Sequence, residues 1–115
     1  MRVLICGARW WTDVDKIDAV VKELTTSDLV IEGGAAGADT IAGERADYYG
    51  IPHCTFKANW GYYGKAAGPI RNRWMLEFGM PERVVAFHSN IEESKGTANM
   101  VKCARRAGIQ VEVIA

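Results

Sequence analysis

Residues 30–40 of the chain read Val-Ile-Glu-Gly-Gly-Ala-Ala-Gly-Ala-Asp-Thr, and they are the clearest indication of the fold. An apolar β-type run stops at a glycine-rich turn, and the turn leads directly into a helix. Small residues let backbone N–H groups approach an anion, and a helix N-terminus adds partial positive charge. The stretch therefore predicts a phosphate-binding turn at Gly33, Gly34 and Gly37, with a plain strand-to-helix turn as the alternative.

This turn matches neither of two common glycine motifs. A dinucleotide-binding fingerprint would need glycine where Glu32 stands, and the Gly-Lys-Ser/Thr ending of a Walker A loop is missing. The sequence thus predicts a phosphate-binding site but does not indicate which reaction, if any, takes place there.

Short apolar runs alternate with helical segments on both sides of the turn. We expect strands at 3–6, 29–31, 51–56, 83–88 and 109–114, and helices at 13–25, 39–49, 69–79 and 96–107. This alternation predicts an α/β fold, a three-layer Rossmann-like domain with a five-stranded, mainly parallel sheet. We expect residues 1–115 to form one such domain.

Composition restricts the partners and the compartment. The chain has 14 basic and 14 acidic residues, and no basic run is longer than Arg105-Arg106, which argues against nucleic acid and membrane surfaces as partners. Cys6, Cys54 and Cys103 lack zinc-site spacing, so we expect no metal and interpret them as buried thiols of a reduced compartment. With no signal peptide and no membrane-spanning run, the sequence predicts a cytoplasmic protein.

Four loops follow the carboxyl ends of the predicted strands, where ligands bind in parallel α/β sheets. Nearly every unusual residue of the chain falls in these loops, which supports a binding site there. The loops are Gly7 to Thr12, Gly33 to Asp39, Lys57 to Gly68 and His88 to Thr97.

The first of these loops, beginning at Gly7, carries a cation and two aromatic rings. Arg9 can contact a phosphate or carboxylate through its planar guanidinium group. Adjacent tryptophans in a loop are rarely both core residues, so we expect at least one of Trp10 and Trp11 to be exposed. An exposed tryptophan would either stack on a base or pack in a subunit interface, and the second case predicts a homodimer or higher homo-oligomer.

Two charged side chains near the other loops are candidates for binding. Asp39 either caps the helix that it begins or binds ribose hydroxyls. Arg71 is expected in the first turn of a helix starting at Pro69, where a positive charge opposes the helix dipole, so we interpret it as a ligand contact. On the same helix, Trp74 and Phe78 are expected in the core.

The remaining loops carry weaker signals. Residues 57–68 form the one long irregular stretch of the chain and resemble a mobile cover over the site. The last helix starts at Gly96 and Thr97. Ser94 or Thr97 could simply cap this helix, and the alternative is that its start forms a second phosphate site. His88 is interpreted as a structural histidine, because no nucleophile or carboxylate partner accompanies it in the sequence.

The chain also resembles a known group. Its motifs occur in a characteristic order: Gly7-Ala8-Arg9, Gly33-Gly34-Ala35-Ala36-Gly37-Ala38-Asp39, Gly68-Pro69-Ile70-Arg71-Asn72 and Lys95-Gly96-Thr97. This order resembles the SLOG superfamily, which unites the DprA/Smf proteins with the lonely-guy phosphoribohydrolases, and within it the small YspA-like branch of bacteria and phages. The resemblance implies a nucleotide-binding pocket lined by Gly33, Gly34, Gly37, Asp39, Gly96 and Thr97, with Arg71 beside it.

The chain departs from the enzymes of this superfamily at one position. Those enzymes carry a PGGxGTxxE motif, and here the position of its glutamate is Met100, while the Pro-Gly-Gly that begins the motif is absent. A thioether cannot activate water or stabilise a ribosyl cation. We therefore expect a domain that senses or sequesters a nucleotide-derived ligand and requires no cofactor. The alternatives are a nucleotide hydrolase that uses Asp39, Glu44 or Glu32, or an interaction module without a ligand.

Overall fold

The computed structural model describes residues 1–115. The strands are β1 (Arg2–Gly7), β2 (Leu29–Glu32), β3 (His53–Thr55), β4 (Arg83–Phe87) and β5 (Gln110–Ile114). The helices are α1 (Val14–Val21), α2 (Ala38–Tyr49), α3 (Trp60–Tyr63), α4 (Ala67–Glu77) and α5 (Gly96–Arg106), with single 3₁₀ turns at Gly64–Ala66 and Ile91–Glu93. None of the helices combines the length and the hydrophobicity that a membrane crossing requires.

All strands are parallel, in the order β3-β2-β1-β4-β5. The predicted α/β Rossmann-like fold is thus confirmed, with an entirely parallel sheet. The chain builds the sheet outward from β1 to β3 and then returns to add β4 on the other side of β1. The strand order therefore reverses between β1 and β4, which is where ligands bind in open sheets of this kind.

The sheet is buried on both faces because β1 sends alternate side chains to opposite layers. Val3 and Ile5 pack in the core beneath α1 and α2, while Leu4 and Cys6 pack in the core beneath α4 and α5. Because helices cover both faces of the sheet, the loops at the carboxyl ends of its strands are the expected place for a ligand.

Helix α1 begins where the sequence predicts, with the Asp13 carboxylate accepting the Lys16 N–H at 3.3 Å. It ends at Val21 rather than at Thr25. The backbone N–H and hydroxyl of Thr25 both donate to the Asp28 carboxylate, at 2.8 and 3.2 Å. These local bonds offer the chain an alternative to a further helical turn, which is why the predicted helix was too long.

Most of the stretch 57–68 is helical, in contrast to the prediction that it is irregular. The Asn59 side chain caps α3 by accepting the Tyr62 N–H at 3.1 Å, and a 3₁₀ turn then leads straight into α4. Helix α4 therefore starts at Ala67, before Pro69. Arg71 consequently lies in the second helical turn, so the argument from an opposed helix dipole is wrong.

Two predictions about burial are also wrong. Phe78 is 67% exposed, because α4 ends at Glu77 and the next residue points out of the core. Cys54 is exposed because β3 is an edge strand, and Cys103 is only partly buried, so Cys6 is the one fully buried thiol. Burial in an apolar layer raises the pKa of the Cys6 thiol far above its usual range.

Candidate functional site

The loops that follow the first four strands meet at the carboxyl edge of the sheet and enclose two adjoining clefts. The switch-point cleft lies between the loops after β1 and β4 and has a volume of about 370 Å³. The glycine-turn cleft has a volume of about 660 Å³ and is lined by residues 33–36, Lys57, Ala58 and Trp60. Arg9, Ala35 and Arg71 line both clefts, so these residues form the boundary between them.

The glycine turn is held by two buried carboxylates. Glu32 accepts the Gly34 N–H at 2.6 Å and the Thr55 hydroxyl at 2.5 Å. Asp39 accepts the N–H groups of Gly33 and Ala35 through Oδ2, at 2.9 and 3.4 Å. These three N–H groups therefore already have carboxylate partners within the protein.

The position of Asp39 also corrects the capping prediction. Helix α2 begins at Ala38 with Gly37 as its N-cap, so Asp39 lies in the first turn and reaches back to the glycine turn. Its Oδ1 makes no hydrogen bond within the protein, and the residue lines the switch-point cleft. Burial raises the pKa of Asp39 to about 6, against the opposing influence of the Arg71 guanidinium and of the two N–H donors.

Arg71 is a half-buried cation without an anionic partner. Its Nη1 donates to the Gly33 carbonyl at 2.6 Å and its Nε donates to the Asn72 side-chain oxygen at 3.0 Å, while Nη2 makes no hydrogen bond. Asp39 is near enough to act on its charge but forms no ion pair with it. Burial is the main cause that lowers the pKa of Arg71, and the positive charge of Arg9 acts in the same direction.

Asn72 is a structural residue of the site that sequence reasoning missed. It is buried, and its amide donates to the Gly96 carbonyl at 3.2 Å and to the Asn99 side chain at 3.1 Å. Because it also accepts from Arg71, it links the cation at the cleft boundary to the start of α5. Glu32 was considered only as a carboxylate of the alternative hydrolase, so its role in holding the glycine turn was missed as well. Its position as a carboxylate at the end of an apolar strand was the available signal.

The two adjacent tryptophans have different environments. Trp11 is 6% exposed and packs against Phe87 with ring centroids 5.6 Å apart. Trp10 is 59% exposed, lines the switch-point cleft and contacts His88 edge-on at 5.3 Å. The prediction that at least one of them is exposed is confirmed. Arg9, next to Trp10, places its guanidinium carbon 5.8 Å from the centre of the Trp60 ring.

The start of α5 forms the opposite wall of the switch-point cleft. Gly96 and Thr97 line this cleft, and the Ser94 hydroxyl caps the helix by accepting the Thr97 N–H at 3.0 Å. His88 accepts the Asn90 N–H through Nδ1 at 2.9 Å, in agreement with a structural role. No group of three or more His, Cys, Asp or Glu side chains is arranged to hold a metal ion.

The structure thus gathers most of the predicted site residues around one boundary. The switch-point cleft contains Gly7, Arg9, Trp10, Asp39, Arg71, Gly96 and Thr97. Gly33 and Gly34 line the glycine-turn cleft with Arg9 and Arg71. Gly37 lies outside both clefts, in a shallow groove beside α2 that also contains Glu44.

Comparison with known proteins identifies the family to which the chain belongs. The profile of the YspA, cpYpsA-related SLOG family matches residues 1–63, which include the loops after β1 and β2. The chain belongs to this family. It is also 36% identical over 119 residues to the Gene 61 protein of Mycobacterium phage D29, with 96% of this chain and 93% of that protein covered. The predicted SLOG resemblance is therefore confirmed.

The fold of this SLOG chain also occurs in a larger protein. It superposes on DNA processing protein A (DprA) from Streptococcus pneumoniae with a TM-score of 0.80 and 19% sequence identity. The superposition covers 99% of this chain and 50% of DprA, so the chain spans half the length of that protein. At this identity the similarity establishes the fold alone.

Proposed function

We propose that the protein binds a nucleotide or nucleotide-derived small molecule at the two clefts, with an anionic group of the ligand held by Arg9 and Arg71. The observation that carries this proposal is the half-buried Arg71 guanidinium, which has no anionic partner and a free Nη2. A charge that is removed from water is costly unless an opposite charge or hydrogen bonds compensate it. A phosphate at the boundary would supply that partner through charge-assisted hydrogen bonds.

The surroundings of Arg71 support an anionic ligand. Arg9 and Lys57 also line the glycine-turn cleft, and no carboxylate side chain lines it. Neither Arg9 nor Lys57 forms an ion pair within the protein. Trp60 adds an aromatic surface in the same cleft, on which a planar base can stack.

We further propose that binding proceeds without phosphoribohydrolase chemistry. Met100 lines the switch-point cleft and is 1% exposed, so a thioether occupies the wall where the resemblance would place a glutamate. Hydrolysis remains a second candidate because Asp39 lines the same cleft with a free Oδ1 and a pKa raised to about 6.

Calorimetric titration with AMP and ADP tests the binding proposal. The Arg9→Gln variant removes an exposed cation that makes no hydrogen bond within the protein, so the fold is expected to be unaffected. Loss of one charge-assisted hydrogen bond, about 1.5–3 kcal/mol, should weaken binding by about 10- to 150-fold. The matched control is Arg105→Gln, an exposed arginine at the far end of α5, which should change the affinity less than about twofold.

Two results would refute the proposal: neither nucleotide binds, or both arginine variants weaken binding equally. Chromatography of adenine released from AMP separates binding from hydrolysis. We expect no release above a protein-free control. Release that disappears in Asp39→Asn would instead establish the hydrolase.

A further inference from the structure

The two clefts adjoin at a pair of cations, and this arrangement constrains the shape of the ligand. Arg9, Ala35 and Arg71 line both clefts. Any ligand that extends from one cleft into the other must therefore pass the two arginines. The middle of such a ligand should be its most negative part, because both guanidinium groups lack an anionic partner.

Each cleft also has one exposed tryptophan on its wall. Trp10 is 59% exposed and lines the switch-point cleft, whereas Trp60 is 48% exposed and lines the glycine-turn cleft. An exposed tryptophan in a cleft provides a flat apolar surface that stacks on a planar ring at little entropic cost. The order of groups across the site is thus aromatic ring, paired cations, aromatic ring.

Both rings are held in place by specific contacts. Trp10 is supported edge-on by His88 at 5.3 Å. The edge of the Trp60 ring lies against Gly68, where an added Cβ would lie only 3.2 Å from Cη2, and the Arg9 guanidinium carbon is 5.8 Å from the ring centre. A side chain at position 68 would crowd Trp60, so glycine there permits the ring to lie against α4.

We propose that the ligand is a diphosphate joining two nucleoside-like halves, an inference that rests on the proposed function. The diphosphate binds between Arg9 and Arg71, and one planar group lies against Trp10 and the other against Trp60. The cleft volumes of about 370 and 660 Å³ are each in the range that holds one small organic group. A mononucleotide would occupy one cleft and leave the ring of the other unused.

Calorimetric titration of the full chain with ADP and with diadenosine diphosphate tests this inference. The second compound should bind at least about fivefold more tightly, because it adds a second stacked base to the same number of phosphates. Stacking on an aromatic side chain contributes a factor of about 5 to 150 per base. Trp10→Ala and Trp60→Ala should therefore each weaken binding of diadenosine diphosphate about fivefold or more.

Three further variants serve as controls. Trp10→Phe and Trp60→Phe keep a ring and should restore most of the affinity, which separates stacking from damage to the loops. Tyr48→Ala removes an aromatic ring that is 71% exposed on α2 and lines neither cleft, so it should leave the affinity unchanged.

Equal affinity for ADP and diadenosine diphosphate would overturn the inference that the ligand has two nucleoside-like halves. A loss of affinity in only one of the two tryptophan-to-alanine variants would overturn it as well. In both cases binding of ADP would still support the proposed function. Failure of both compounds to bind would overturn the proposed function together with this inference.

Discussion

Substitution of Gly37 by alanine tests how the site is assembled, because this residue brings the loops after β1 and β2 together. Its backbone angles are φ 76° and ψ −123°, a region that side-chain-bearing residues rarely adopt. A Cβ at this position would lie 2.3 Å from the Ala8 carbonyl oxygen and 2.5 Å from the Arg9 carbonyl oxygen. Both are backbone atoms, so no side-chain rotation can relieve the contact.

The expected loss of stability has two parts. The backbone conformation costs about 1–3 kcal/mol for a non-glycine residue. The forced separation of the two loops adds about 1–3 kcal/mol, as overpacking does in a core. Gly37→Ala should therefore lower the free energy of unfolding by about 2–6 kcal/mol. Gly50→Ala is the matched control, because Gly50 also has a positive φ of 69° but an added Cβ there would meet no atom within 4 Å. It should cost about 1–2 kcal/mol.

Equilibrium unfolding in urea, followed by tryptophan fluorescence, measures both variants. A loss of about 3 kcal/mol lowers the midpoint by about 1–3 M. The reasoning is refuted if Gly37→Ala loses no more stability than Gly50→Ala, since the contact with the Ala8 and Arg9 carbonyls would then have no energetic consequence.

Two further predictions concern single side chains of the site. Burial raises the pKa of Asp39 from 3.8 to about 6, so the folded state binds this proton more tightly than the unfolded chain does. The resulting stabilisation is complete below about pH 4 and is lost as the pH rises through about 6, which amounts to about 3 kcal/mol. The free energy of unfolding in urea should therefore be measured for Asp39→Asn and the wild type at pH 4 and pH 7.5. Relative to the wild type, the variant should be more stable at pH 7.5 than at pH 4. The same stability difference at both pH values would contradict the raised pKa of Asp39. Among the adjacent tryptophans, Trp11→Ala should cost about 3–5 kcal/mol because its ring is buried, whereas Trp10→Ala should stay within about 0.5 kcal/mol. Equal losses on thermal unfolding would show that the two rings have similar environments.

The architecture could be predicted because local sequence patterns report it. Continuous apolar runs such as Val3 to Cys6 indicate strands that are buried on both faces, and β1 has that environment. Gly50 ends α2 in the left-handed conformation that its position after Tyr49 predicts. Because helices alternate with strands, the strands are expected to be parallel, and the loops after their carboxyl ends then lie at one edge of the sheet.

The ends of the helices were harder to predict where side chains form hydrogen bonds with nearby backbone groups. Asn59 caps α3 inside the segment that the sequence presents as irregular, and Asp28 ends the turn after α1 by accepting from Thr25. Such bonds replace one local hydrogen-bonding pattern with another of similar energy, and hydrophobic periodicity does not report them.

Sequence patterns were sufficient to predict the α/β fold, the family and the edge of the sheet at which the unusual residues gather. The contacts of those residues became known only from the folded structure. Arg71 bonds to the Gly33 carbonyl across a separation of 38 positions, and the carboxylates of Glu32 and Asp39 occupy N–H groups that the glycine turn would otherwise offer to an anion. Periodicity and capping are properties of neighbouring residues, whereas these partners meet only after helices have packed on the sheet. For that reason the sequence predicts a binding site, and the structure assigns its free cations.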